Sequence, residues 1–295
     1  LKNNQSLGLS FFNINGVPFD SNTVMFNYKS FDNQNTKVVE FEYLNNLGGK
    51  IGISLSKENI FNWYHLNKYK FNFPWSGDLA SKRLINLIYN YEFVNSSSTI
   101  NDTKLLKKII IIHAYRIKLD LNYKKINEIT SYDLIANLLS NFILKKFSNK
   151  DLSLIELVLT NQIDKLGMHK SYNILEHAKF LNNLIEIRNI FLFFNVETSQ
   201  SFKNHILALT SVLKTYQHAD TSLPLFNGCN NNYNKTIEQI FEQEQFVKTK
   251  TFTKFKNGIA INKDSKKVIF FDVVQPSNLG LHSELSSGSL AIEIS

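Results

Sequence analysis

The chain has 295 residues, 43% of them hydrophobic and 20% charged, with a formal net charge of +8. This is a globular composition, long enough for two hydrophobic cores. No apolar run reaches the roughly 20 residues that a bilayer span requires. The single cysteine, Cys229, excludes an intrachain disulfide and any multi-cysteine zinc site.

The positive balance fits an anionic partner, or equally a drift in a chain rich in Asn, Lys and Ile. The lysines are scattered over helix corners such as LKKII and NYKK. Neither an RNP-like motif nor a basic-region helix is visible, so nucleic acid is not an expected partner. The chain starts at Leu1 with no signal-peptide pattern. That leaves room for an absent upstream segment, and the compartment is not legible.

Residues 1–55 read as a β-rich arm. SLGLSFFNINGVPF alternates and then turns at Asn15-Gly16, a strong hairpin dipeptide, and KVVEFEYL alternates before the turn NNLGGK. From Ser56 the period becomes helical, and it stays so to about residue 235. SKENIFNWYHLNKY is expected to start at a Ser56 cap. After a break at Pro74-Trp75, SGDLASKRLINLIYNYEFV places Leu79, Leu84, Leu87 and Ile88 on one face. Asp102 is the expected cap of NDTKLLKKIIIIHAYRIKLDL, and Thr130 or Ser131 that of TSYDLIANLLSNFILKKF. Ser148-x-x-Asp151 resembles a capping box. With the helices over ILEHAKFLNNLIEIRNIFLFF and SFKNHILALTSVLKTYQ, about seven helices follow one another. Their short links imply antiparallel hairpins. From residue 250 to 295 alternation returns, with turns at Asn257-Gly258 and Asp264-Ser265. The last strand has no return strand in sequence, so the chain is expected to be cut inside a β-domain.

One turn carries more chemistry than a turn needs. DKLGMHKSYNILEHAKF, residues 164–180, links two helical runs. Gly167 supplies a helix stop, and Ser171 or Asn173 a helix start. Neither job calls for His169, Tyr172 or His177.

LGMHKSYN resembles the Gly-Gly-His-x-Ser-Arg-Asn turn of heparinase II/III-like proteins, in the branch common in alphaproteobacteria. Three further segments are similar to that branch in the same order: WSGDLASKRLINLI, HADTSLPLFNG and SSGSLAIEIS. Together they run from about Trp75 to Ser295. The resemblance implies an incomplete (α/α) toroid followed by an antiparallel β-sandwich. It also implies cleavage of an acidic, uronate-containing polysaccharide by β-elimination in the cleft between them. A working lyase of this kind is expected in a bacterial periplasm or envelope, and otherwise the chain is expected in the cytoplasm.

The reaction requires a group to neutralise the uronate carboxylate, a base for the C5 proton and an acid for the leaving oxygen. It requires no cofactor and no metal. The motif places His169, Ser171 and Asn173 in the cleft-facing turn and matches Asp220. With these, His169, Tyr172 and His282 are the candidate catalytic residues, and Asn173, Ser171, Asp220 and His218 the candidate substrate-binding residues. His169 is expected at the mouth of the concave face, with its ring open to solvent. Asp220 either orients a basic group or caps its loop.

Two positions depart from the family pattern. Tyr172 stands where the branch has Arg, which removes a positive contact to an acidic sugar. Ser286 stands where the branch has His before its last strand. Either the chain is a diverged lyase using His282, or it has lost part of its catalytic set. The alternative function is a non-catalytic glycan-binding or envelope-associated protein on a degenerate lyase scaffold. A hydrolase with paired carboxylates would draw on Asp78, Asp164 and Asp220, whose spacing carries no recognisable signal. His113 and His177 are expected to be structural. Arg83 and Arg188 are each expected to pin a buried carboxylate.

Overall fold

A computed structural model describes residues 40–70, 75, 78–218, 222–225, 234–244, 259–263, 268–272 and 292–294. The arm over residues 1–39 with its Asn15-Gly16 turn, and the turns at Asn257-Gly258 and Asp264-Ser265, lie outside the described residues. Among those described, nine α-helices and two 3-10 turns precede a three-stranded antiparallel sheet of order β1-β2-β3. The fold is mainly α with a β part, as the periodicity predicts. The chain divides into two compact units between Ser153 and Leu154.

The first unit begins with a 3-10 turn, Glu42–Asn46, and α1, Gly49–Asn67. Helix therefore starts ahead of Ser56, and residues 42–46 and 49–55 are not β. Gly52 explains part of the difference. A Cβ there would meet Leu47 Cβ at 3.3 Å and Phe93 Cζ at 3.4 Å, so its missing side chain lets the first turns pack closely. Ser56 lies inside the helix, where its hydroxyl donates to Gly52 O at 2.7 Å. Helices α2 (Leu79–Tyr89), α3 (Tyr91–Asn95), α4 (Ile100–Leu121) and α5 (Ser131–Ile143) follow.

Two reciprocal caps set the starts of α4 and α5. Thr99 is the cap of α4, and Asp102 is its third-residue partner. Thr130 caps α5 with Asp133 in the same way. Asp133 is buried and also accepts from Ser81 Oγ at 2.6 Å and Lys124 Nζ at 2.9 Å, so one carboxylate ties α2 and the end of α4 to α5. Lys118 reaches Asn141 while Lys124 reaches Asp133, which makes α4 and α5 antiparallel neighbours.

The core of this unit contains a buried cation. Arg83 Nε donates to His113 Nε2 at 2.9 Å, and its guanidinium carbon lies 3.9 Å from the Trp63 ring centre. The His113 Nδ1–H then donates to Ile109 O at 2.8 Å. His113 is thus a core histidine, as expected. Arg83 rests on aromatic faces and an imidazole; burial pulls its pKa down to about 9, against the opposing pull of the buried Glu40 carboxylate.

The second unit holds most of α6 (Asn149–Gln162), then α7 (Ile174–Phe193), α8 (Gln200–Thr215) and α9 (Asn234–Gln243). Asn173 caps α7 and Ser199 caps α8 through their side chains. His177 meets Leu209 and Phe191 meets Phe202, so α7 and α8 run antiparallel. Arg188 on α7 does hold a buried carboxylate, with Nη1 2.5 Å from Glu244 Oε1. The sheet comprises β1 (Ile259–Lys263), β2 (Val268–Asp272) and β3 (Ile292–Ile294). Its register places Ile261, Phe270 and Glu293 in one cross-strand row. Ile261 and Phe270 are buried, so that row faces the packed side. Ile269 pairs with Ile294 and Phe271 with Ile292 on the other face, where Ile292 is 61% and Ile294 66% exposed.

Candidate functional site

The turn that drew attention in the sequence is built by backbone bonds before any functional side chain enters. α6 ends at Gln162, ahead of Gly167, so Gly167 is not the helix stop. Ile163 and His169 then form an isolated antiparallel bridge, with Asp164 N–H donating to Met168 O and Lys170 N–H to Gln162 O. Asp164 Oδ1 accepts from the Leu166 and Met168 amides at 2.8 and 2.9 Å. That role makes Asp164 a turn former. Gly167 occupies the left-handed region at φ 86° within this hairpin. Tyr172 is also left-handed, at φ 53°, a costly conformation for a non-glycine residue. It closes a second turn, in which its amide donates to His169 O at 2.9 Å.

His169, Ser171, Asn173 and His177 join one buried network. The His169 amide donates to His177 Nδ1 at 3.2 Å, and His177 Nε2–H donates to Leu209 O at 2.9 Å. The bonding pattern therefore assigns the His177 proton to Nε2 and uses both nitrogens. Ser171 Oγ lies 2.8 Å from His169 Nδ1 and accepts from the Asn173 amide, so its own proton points to the imidazole. The Ser171 amide also approaches His169 Nδ1, at 3.3 Å. Both contacts make Nδ1 an acceptor and leave the His169 proton on Nε2. Asn173 Oδ1 accepts from the Glu176 amide, the cap foreseen as one of its readings.

The His169 ring was expected at the solvent. It is only 8% exposed, because it packs at 4.8 Å on the Phe180 ring while Ser171 draws Nδ1 into the turn. Burial, and then the neighbouring Lys170, push its pKa down to about 4. His177 also falls to about 4, by burial first and with a smaller push from His169. Both rings are neutral at pH 7. Tyr172 is half-buried, and burial together with Asp164 raises its phenol.

His218 belongs to a second cluster, at the end of α8. Its amide donates to Ser222 O at 2.9 Å, and its ring stands edge-on to Phe270 at 4.9 Å. Nε2 lies 2.8 Å from Glu293 Oε1. The other Glu293 oxygen accepts from the Leu225 amide at 2.6 Å. His218 and Leu225, far from Glu293 in sequence, therefore meet at its carboxylate. Glu293 was not among the expected site residues. Its place between two isoleucines in an alternating run was the available signal. Asp220, His282 and Ser286 lie outside the described residues, as do Asn227-Gly228 and Cys229.

The architecture can now be compared with known proteins. A crystal structure of heparinase III superposes with a TM-score of 0.64 over 87% of this chain and 47% of its own, at 13% identity. The chain is similar in fold to heparinase III. Heparan sulfate lyase HepC from Pedobacter heparinus matches with a TM-score of 0.56 over 90% of this chain and 48% of its own, also at 13% identity. A mutant of the same lyase gives 0.57 at 12% identity. Identities this low show the fold alone. Among curated proteins, Ycf2 of Physcomitrium patens is 26% identical over 252 residues, which is 79% of this chain and 10% of that protein. The chain thus spans about a tenth of that relative and just under half of each solved lyase. No protein-family model matches it. Among the described residues, no helix is long and apolar enough to cross a membrane.

Proposed function

We propose that the protein is a polysaccharide lyase-like protein of the alphaproteobacterial heparinase II/III-like branch, acting on an acidic, uronate-containing glycan by β-elimination. The observation that carries this reading is the lyase-like fold combined with the 164–173 turn, which gathers His169, Ser171 and Asn173 in the order that the branch uses, with Tyr172 in place of its arginine. In this reading residues 56–235 are the toroid domain, apart from the helical start found at Gly49, and residues 250–295 belong to a β-sandwich. The exposed apolar face of Ile292 and Ile294 supports a further β-layer over it.

The geometry revises the division of labour. A histidine with a pKa near 4 is a poor proton carrier at pH 7, but its Nε2–H is a neutral donor suited to a uronate carboxylate or the developing enolate. Tyr172, with its phenol held protonated, suits the acid that protonates the leaving oxygen. His218, Asp220 and Asn173 serve substrate binding, and His282 is the remaining candidate base.

A second reading has its own support. The burial of His169 and the loss of arginine at Tyr172 both suit a glycan-binding protein that no longer cleaves. Incubating the chain with a panel of acidic glycans tests the two. A rise in ultraviolet absorbance from unsaturated product supports the lyase. Saturable binding with no such rise supports the second reading, and neither binding nor cleavage across the panel overturns both.

A further inference from the structure

We infer that Glu293 is a positioning residue that fastens His218 and Leu225 to β3, and thereby positions His218 for substrate in the proposed lyase-like site. The inference rests on that functional reading only for its effect on substrate. The fastening itself is a matter of geometry.

The argument starts from the strand register. Glu293 shares a row with Phe270 and Ile261, and Phe270 is fully buried. Glu293 is half-buried, and each of its carboxylate oxygens has a partner near the end of α8 or just beyond it. Oε2 takes the Leu225 amide at 2.6 Å, the short distance of a charge-assisted bond. Oε1 lies 2.8 Å from the His218 ring. The His218 amide in turn donates to Ser222 O. One side chain therefore holds both His218 and Leu225. Phe270 supports the His218 ring from the neighbouring strand, and the Tyr216 ring lies 6.3 Å from that of Phe270. Lys214 of α8 donates to Glu244 O.

The two contacts differ in what they ask of Glu293, and that difference provides the test. Glu293→Gln keeps an oxygen for the Leu225 amide but loses the charge opposite His218. Glu293→Ala loses both. Native-state hydrogen exchange on the full chain reads the Leu225 amide directly, with the Phe270 amide of β2 as the control for an intact sheet. Leu225 is expected to exchange about tenfold or more faster in Glu293→Ala, and to remain near wild type in Glu293→Gln and in His218→Ala. If Glu293→Ala loosens the whole sheet, Phe270 exchanges faster too, and a rise at Leu225 no larger than that at Phe270 overturns the fastening. Equal Leu225 exchange in wild type and Glu293→Ala overturns the fastening. Loss of Leu225 protection in Glu293→Gln, with Phe270 still protected, does the same. On any glycan that is cleaved, Glu293→Ala should raise KM by about tenfold with kcat within about twofold, and Glu293→Gln should recover part of it. A fall in kcat with KM unchanged overturns the positioning role. Absence of cleavage on every glycan counts against the lyase reading and leaves the exchange result to stand alone.

Discussion

Histidine 169 is woven into the fold more tightly than a loop residue ordinarily is. Its Nδ1 is occupied by Ser171, and its amide is held by His177. His169→Ala should therefore cost stability as well as function, about 1–3 kcal/mol from the broken network and the gap beside Phe180. Thermal or urea unfolding measures it, and an unchanged midpoint would mean that the turn stands without the imidazole. If the protein cleaves glycan, the same variant should lose turnover by roughly a hundredfold, the scale of a lost charge-stabilising donor. The buried rings also fix how stability depends on pH. His169 and His177 have folded-state pKa values of about 4, below the ordinary 6.5. Between those values the unfolded chain binds protons that the folded chain does not. Stability is full above about pH 6.5 and falls as the pH drops towards 4, by at most on the order of 3 kcal/mol for each ring. His177→Gln should flatten that slope in urea titrations across the window. A slope as steep as wild type would show that His177 does not titrate there.

Helices and turns were legible in the sequence to different degrees, for physical reasons. The apolar period of α4 predicts a helix because it buries one stripe, from Leu106 to Ile117, whereas α5 and α7 are buried nearly all round and read as helices from the length of their apolar runs. Caps were harder to assign. Thr99 and Asp102 are three residues apart and bond reciprocally, so either reads as the cap until the φ of Thr99 is known. GKIGISL alternates and contains two glycines, which mimics a strand, yet tertiary packing at Gly52 makes it helical. Alternation also failed to place Glu293. It tells which residues share a face but not which face is inside, and here the carboxylate faces inward while Ile292 and Ile294 face out. The hairpin after α6 offers a sharp test of close packing. A Cβ on Gly167 would lie 2.9 Å from Ala208 Cβ and 3.1 Å from Ala208 C, at φ 86°. Gly167→Ala should therefore destabilise by about 1–3 kcal/mol. Adding Ala208→Gly should recover only part of this, since it relieves the side-chain clash but neither the backbone approach nor the strain. Full recovery in the double variant, read by urea unfolding, would mean that backbone strain contributes nothing.

The molecule as a whole joins a net charge of +8 to a fold similar to that of heparinase III over 87% of the chain, and that charge is in keeping with the acidic glycan proposed above. Weighing against a fully conventional active site are the neutral buried His169 and the phenol at Tyr172. Elimination and hydrolysis leave different masses, so the products identify the chemistry independently of which residue moves which proton. The most direct measurement is mass spectrometry of fragments from acidic glycans incubated with the chain. Elimination predicts pairs whose masses sum to the parent, with one member lighter than its hydrolytic counterpart by one water. Fragments that sum to the parent plus one water would contradict the account.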